Sequence, residues 1–411
     1  MTPPSLSKFV LIKFDYVTPE MRFFIAGLLF DYFNEGGFVL SAKDLSGKYG
    51  VSLKTVNSTL KYLVQSGYAK RSNFSVKRGR PIGRYAFTSE LKKKLNEPSD
   101  WIDSIRTSRF WEQAVINLLQ ASSTERSTFT VSNRYLICIL VLFANELGVV
   151  ENIPASRIAK ILSFSSLRLR SQLSHLVSNQ VLLSYTSGVT GKYLFGKSSG
   201  IYYLNIEAVA KALGKSLETA SFRQVYRERL SSDGDRYSIK SLYRLAQRTE
   251  GSESEVSKKE LMQEEEYQKR WWYSYNRQSF DLVKCFLSDQ KMTRVPEYLQ
   301  AKLEQYIAEY LSIKSMSDEQ SEAYADLKKK ISEECIPKKW HEDLEERNVF
   351  ATEDSFTQLT ETLFSITEEV ASGYTDYFDL SSIRNASFRI ASNEDGFTIE
   401  AFKHRGKHYE K

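Results

Sequence analysis

The sequence predicts a mainly α fold: two similar helical modules carrying small β-hairpins, followed by a helical C-terminal region. Three observations lead there. Apolar residues recur at helical spacing over residues 41–67, behind Ser caps and before Gly stops. The same pattern returns from Ala155 onward. Charge also divides the chain. Residues 1–250 hold 35 Lys and Arg against 19 Asp and Glu, a net of +16, whereas residues 251–411 hold 22 against 32, a net of −10.

Taken in order, Phe9–Phe14 reads as a short apolar strand. Thr18-Pro19-Glu20 is a helix start, Thr as cap and Pro at the first position, and the helix runs to about Asn34, where Glu35-Gly36-Gly37 ends it. Phe38–Leu40 is a second short strand. Ser41 caps a short helix that carries Leu45 inward and breaks at Gly50. Ser52 caps the next helix, through about Ser66, with Val56, Leu60 and Leu63 on one face. Its free face offers Ser52, Lys54, Thr55, Asn57, Ser58 and Lys61. Gly67 stops it, and two β runs, Tyr68–Arg71 and Arg84–Thr88, then flank a basic loop, Lys77-Arg78-Gly79-Arg80-Pro81.

Helix, tight turn, helix and basic hairpin occur here in the order of the winged helix-turn-helix superfamily, which the sequence resembles at Ala42–Gly67 and at the hairpin. The resemblance implies that the helix after the turn enters the DNA major groove and the wing meets the neighbouring backbone or minor groove. The Arg-Gly-Arg-Pro core is also similar to an AT-hook, in which Gly removes bulk and arginines follow a narrow groove of strong negative potential. Lys77, Arg78, Arg80 and Arg84 are the wing's candidate DNA contacts.

The repeat extends the reading. AKDLSGKYGVSLKTVNSTLKYLVQSGYA, from Ala42, aligns without gaps on ASRIAKILSFSSLRLRSQLSHLVSNQVL, from Ala155. Ser52 matches Ser165, Val56 matches Leu169, and Leu60, Leu63 and Val64 match Leu173, Leu176 and Val177. Ser163 stands where the first copy has Gly50. Upstream, Ser132–Leu147 corresponds to the first copy's long helix and Val149–Ile153 to its strand. Downstream, Val181–Tyr185 and Gly200–Ile206 bracket a longer, less basic loop containing Lys192. Ser166, Arg168, Arg170, Gln172 and, in the loop, Lys192 are the second copy's candidate contacts, because Arg and Gln bind guanine and adenine edges through paired hydrogen bonds; the alternative is that this copy serves dimerisation. The resulting fold class is mainly α with small β-hairpin wings, tandem winged helix-turn-helix domains followed by a helical C-terminal region.

The expected domains are 1–98 for the first winged helix and 99–127 for a connecting helix and hinge. Residues 128–210 form the second winged helix, 211–257 a basic helical segment and linker, and 258–411 an acidic, mainly helical domain. In the last, Lys258–Asp289, Val295–Ile313, Ser317–Glu334 and Ser355–Ala371 read as helices, and Asp395–Phe402 as a strand. Its acidic balance and aromatic residues suit self-association or a protein partner. No apolar run approaches the roughly 20 residues of a membrane span, no signal peptide is legible, and Cys138, Cys285 and Cys335 give no disulfide framework. The expected location is therefore cytoplasmic, at the nucleoid.

Catalytic chemistry has no legible motif. The chain contains no GxxxxGK[ST], no HExxH and no paired CxxC. His404-x-x-x-His408, like Cys335 with His341, lacks the three or four convergent ligands of a metal site. No cofactor and no catalytic residue is expected. The resemblance, together with the basic residues 1–250, implies a sequence-specific protein of double-stranded DNA, as a transcription regulator first, alternatively as a replication initiator of a plasmid or mobile element, or as the DNA-targeting subunit of a mobile-element or defence complex. A protein-interaction scaffold is the reading without DNA.

Overall fold

The computed structural model describes residues 6–74, 82–97, 105, 109–120, 129–151, 153–191, 194–212, 223–229, 286, 294–316, 320–336, 353–393 and 396–403. The described residues are mainly helical with small antiparallel sheets. The chain divides into two compact units, 1–182 with 204–217, and 183–203 with 218–411.

In the first unit, α1 (Leu6–Leu11) precedes α2 (Pro19–Tyr32). The apolar run expected as a strand over Phe9–Phe14 is thus helical through Leu11. Periodicity cannot separate the two readings where Phe9, Val10, Leu11 and Phe14 are all buried. Thr18 caps α2 through its side chain, which accepts from the Met21 amide, with Pro19 in the first turn. Residues Arg22–Leu29 are buried without interruption, as expected of a helix that is apolar all round and packed on several sides. Gly27 lies against the Tyr49 ring so closely that a Cβ would stand 2.7 Å from its edge.

Next come β1 (Gly37–Val39), α3 (Ala42–Tyr49), α4 (Leu53–Gln65), β2 (Ala69–Phe74), β3 (Ile82–Phe87) and α5 (Ser89–Asn96). Strand β3 lies between β1 and β2, with Phe38 opposite Tyr85 and Arg71 opposite Tyr85 on the other side. Ser41 and Asp44 form a reciprocal capping box on α3, and Gly50 closes it at φ 61°. After α6 (Arg109–Gln120) the plan recurs: α7 (Val131–Leu142), β4 (Val149–Val150), α8 (Ala155–Leu162), α9 (Ser166–Ser178), β5 (Leu182–Thr186), β6 (Ile201–Leu204) and α10 (Ile206–Ala212). The strand order recurs too, β4-β6-β5.

The repeat is one of hydrogen bonds as well as helices. Phe87 N donates to Gly36 O and Thr88 N to Tyr68 O; Leu204 N donates to Gly148 O and Asn205 N to Val181 O. Left-handed backbone occurs at Gly50 and Gly67, and at the equivalent positions of the second copy, Ser163 (φ 53°) and Gln180 (φ 57°). The turn geometry is therefore the same in both copies, although only the first places glycine at it. Thr88 caps α5, and Asn205 accepts from the Ala208 amide at the start of α10.

The second unit holds β7 (Arg223–Arg229), α11 (Arg294–Ser315), α12 (Gln320–Cys335), α13 (Glu353–Tyr377), a 3-10 turn at Leu380–Ser382, β8 (Ala386–Asn393) and β9 (Gly396–Lys403). Strand β9 runs between β7 and β8, and α11 packs on β8, α12 and α13. Leu299, Leu303, Tyr306, Ile307 and Leu311 of α11 are buried, as are Leu327, Ile331, Leu359, Leu363, Ile390 and Ile399. Arg389 Nε donates to Glu400 Oε2 across the register of β8 and β9, both side chains wholly buried. The expectation that 211–257 is helical fails at Arg223–Arg229, which pairs along its length with β9. Expectations at 230–257 and across most of Lys258–Asp289 fall outside the described residues.

Candidate nucleic-acid interface

The exposed face of α4 begins at its cap. Ser52 Oγ accepts from the Thr55 amide at 3.1 Å and lies 2.9 Å from Thr55 Oγ1, so both hydroxyls are engaged in starting the helix. Val56, Thr59, Leu60 and Leu63 are buried, Thr55 is half-buried, and Lys54, Asn57, Ser58 and Lys61 are exposed. In α9, Ser165 Oγ accepts from the Arg168 amide, and Leu169, Leu173 and Leu176 are buried. Ser166, Arg168 and Arg170 are exposed and Gln172 is half-buried. Neither helix contains an Asp or a Glu, so each open face is neutral to positive along its whole length.

Two apolar residues join these faces without having been singled out from the sequence. Leu53 is 50% exposed in the first turn of α4, and Leu167 is 74% exposed in the first turn of α9. Leu53, three residues before Val56, has core spacing yet is exposed, whereas Leu167 lies opposite the stripe of Leu169, Leu173 and Leu176. Lys70 and Arg71 were also missed. They are exposed with Ser72, Asn73 and Phe74 along β2, and Arg84 is exposed opposite Ser72 on β3. An outer strand presents consecutive residues to solvent where one face has no partner layer, and alternation does not report this. Lys77, Arg78, Arg80 and Lys192 lie outside the described residues.

Arg168 differs from its neighbours. Its guanidinium stacks 4.2 Å from the Phe164 ring centre, with Nη2 3.4 Å from Ser132 Oγ and 3.8 Å from Glu20 Oε1. Burial pushes the Glu20 carboxyl up, but hydrogen bonds, led by the one from Ser132, together with Arg168 outweigh it and hold the group below its ordinary value. Arg168 is thus held by intramolecular contacts, and Arg170 is the arginine of α9 left for a partner.

The loop between β5 and β6 is also committed. Val189, Leu194 and Phe195 are buried; Phe195 N donates to Cys335 O at 2.7 Å, and its ring meets Tyr298 edge-on at 4.9 Å. These contacts lie within the second unit, and they explain why this loop lacks the basic run of its counterpart.

Within the first unit the two copies are braced reciprocally. Arg22 of α2 donates through Nη1 to Ile161 O at the end of α8, and through Nη2 to Phe14 O at 2.6 Å. Arg134, at the equivalent place in α7, donates through Nη1 to Tyr49 O at the end of α3 (3.1 Å), and through Nη2 to Leu118 O. Each arginine of one copy therefore satisfies the carbonyl-rich C-terminus of a helix in the other, where helix dipole and orphan acceptors favour a cation. Phe23 and Tyr135, the next residue in each helix, meet edge-on, and Arg134 stacks 4.6 Å from the Phe23 ring. Helix α6 adds bonds to both copies, Trp111 Nε1 to Asn145 O and Gln120 Nε2 to Asp31 Oδ1. The helices α4 and α9 are consequently carried within one braced unit.

No protein-family model matches the chain, and no curated protein matches it. Among the described residues no His, Cys, Asp and Glu cluster is arranged to hold a metal, and no helix is long and apolar enough to cross a membrane.

Proposed function

We propose that the two copies are winged helix-turn-helix modules and that the protein binds double-stranded DNA sequence-specifically, α4 and α9 being the helices that read the major groove. The observation that carries this is the repeated presentation of an acid-free, exposed helix face behind a left-handed turn, beside a hairpin whose outer strand exposes Lys70 and Arg71. Lys54, Asn57, Ser58 and Lys61 on α4, and Ser166, Arg170 and Gln172 on α9, are the base and phosphate contacts. Leu53 and Leu167 suit thymine methyl groups. Arg84, Lys77, Arg78 and Arg80 follow the adjacent groove.

Transcription regulation is the use we assign, with the acidic second unit as the part that meets another protein or a second copy. A replication initiator is the second reading. The observation favouring it is the reciprocal Arg22 and Arg134 bracing, which lets one chain present two reading helices in fixed relation, as binding to an array of direct repeats requires. Fluorescence anisotropy of the full-length protein on duplex DNA tests the shared claim. Affinity should fall steeply with salt, by about 0.9 log units per tenfold salt for each neutralised phosphate. Salt-insensitive or absent binding would remove the proposal. An inverted repeat beside an operon, or direct repeats beside the gene, separates the two uses.

A further inference from the structure

At the centre of the contact between the two copies, residues meet their own counterparts. Ser132 Oγ donates to Glu20 Oε1, and these two are equivalent positions of α7 and α2, 112 residues apart. The same offset relates Gly36 to Gly148 in the strand contacts, and Phe23 to Tyr135, whose rings meet edge-on. Around this centre the contacts come in exchanged pairs. Arg22 reaches the last turn of α8, and Arg134 reaches the last turn of α3. The second Nη of each goes to the segment before its own helix, Phe14 O for Arg22 and Leu118 O for Arg134. Helix α1, which precedes α2, packs on α7, and helix α6, which precedes α7, packs on α2. Helix α6 also packs on α3, while α1 and α8 line one cleft.

A head-to-tail arrangement of two modules does not produce this pattern. It joins two different surfaces, so no residue meets its own equivalent. Self-pairing at the centre with exchanged pairs around it marks an isologous interface, whose two-fold axis passes between the self-paired residues. Here that axis runs between α2 and α7, at Glu20 with Ser132 and Phe23 with Tyr135. The first unit is thus a two-fold pair of modules within one chain, and the same rotation relates α4 to α9.

From this we infer that the DNA taken by the proposed interface is an inverted repeat, both halves of which are read by a single chain; the inference rests on the DNA-binding reading. A duplex has two-fold axes perpendicular to its length. Modules related by a two-fold therefore meet the two strands in opposite directions, whereas a direct repeat calls for modules related by a shift along the duplex. The halves are unlike. Asn57 and Arg170 hold equivalent positions, both exposed, and suit adenine and guanine respectively. Lys54 stands where the second copy has the exposed Leu167. The second copy's loop is engaged by Cys335 and Tyr298, so the basic wing flanks one half only. The site is an imperfect palindrome with a direction, adenine in one half at the place where the other has guanine. Where such sites recur as a direct array, each element of the array is itself an inverted pair.

The test is selection of randomised duplexes by the full-length protein, followed by anisotropy on the enriched duplex. A second duplex has one half reversed in place, with the spacing and the other half kept. The expected motif has two unlike halves in inverted orientation. Reversing one half should weaken binding at least about tenfold, since it mismatches several base pairs at once. Selection repeated with Asn57→Ala should relax one half and leave the other, whatever the oligomeric state. Halves repeated in the same direction, a motif of one undivided half, or undiminished affinity for the reversed duplex each overturn the inference while DNA binding stands. So does an inverted motif that Asn57→Ala relaxes equally in both halves, because two chains then supply one half each. Absence of duplex binding at low salt is the separate failure of the DNA-binding reading, and it removes the inference with it.

Discussion

Replacing Arg134 by methionine tests the brace between the two copies. Methionine keeps most of the aliphatic stem and removes the guanidinium, which is buried in a residue only 4% exposed. Two hydrogen bonds from a charged donor disappear, to Tyr49 O and Leu118 O, each worth about 1.5–3 kcal/mol net. Part is returned, because a buried cation no longer has to be desolvated; burial already draws Arg134 below its ordinary pKa. The stacking on Phe23 is lost as well. The balance is a destabilisation of about 2–4 kcal/mol, or roughly 5–15 °C in unfolding temperature at ~2–4 °C per kcal/mol for a unit of this size. Differential scanning calorimetry of the full-length protein measures it. Since the bonds are buried, the loss should be the same at low and high salt. A change below about 1 kcal/mol, or one that vanishes in high salt, would refute the bracing argument.

Other outcomes follow from the same geometry. Asn57→Ala should relax base preference at one position of the bound site, at a cost of about 1–3 kcal/mol for the preferred base, read by titration against single-base variants of the duplex. Arg78→Ala with Arg80→Ala should weaken binding across sites and flatten the salt slope; unchanged affinity and flank preference would remove the comparison with AT-hooks. Cys138 and Cys335 are buried, and burial is the main cause that pushes each thiol up to about 12. Peptide mapping after alkylation near neutral pH should therefore find both unmodified in the folded protein and modified in denaturant. The Glu20 carboxyl is held below its ordinary value of 4.5. It therefore contributes stability above that pH and loses it as pH falls through the folded value, so Glu20→Gln should narrow the gap between stability at pH 7 and pH 3.

What the sequence made legible is the part encoded locally. Ser41, Ser52, Ser165 and Thr18 cap where their side chains and the following apolar spacing say they should. The repeat was visible because Ser52 and Ser165 recur in register with the leucines behind them. Less was legible where tertiary context decides. The helix at Leu6–Leu11 is six residues long and buries Ser7 with the consecutive Phe9, Val10 and Leu11, a run too short for period to separate helix from strand. Strand β7, in an arginine-rich stretch, and β8 are fixed by pairing with β9, and for β7 that pairing joins Arg223 to Phe402, at the far end of the chain. Of the candidate interface, the helix faces were readable from period, whereas the engagement of Arg168 with Glu20 depends on α2, far away in the chain. Arg22 and Arg134 gave no signal at all, since an arginine within a helix is ordinarily at the surface.

The central claim is that two braced helix faces read DNA together. Selection of full-length protein on randomised duplexes, repeated with Asn57→Ala and with Arg170→Ala, tests it most directly. The account predicts one enriched motif with two parts at a fixed spacing, Asn57→Ala relaxing one part and Arg170→Ala the other. No enriched motif at low salt, or a motif that neither substitution alters, would contradict it.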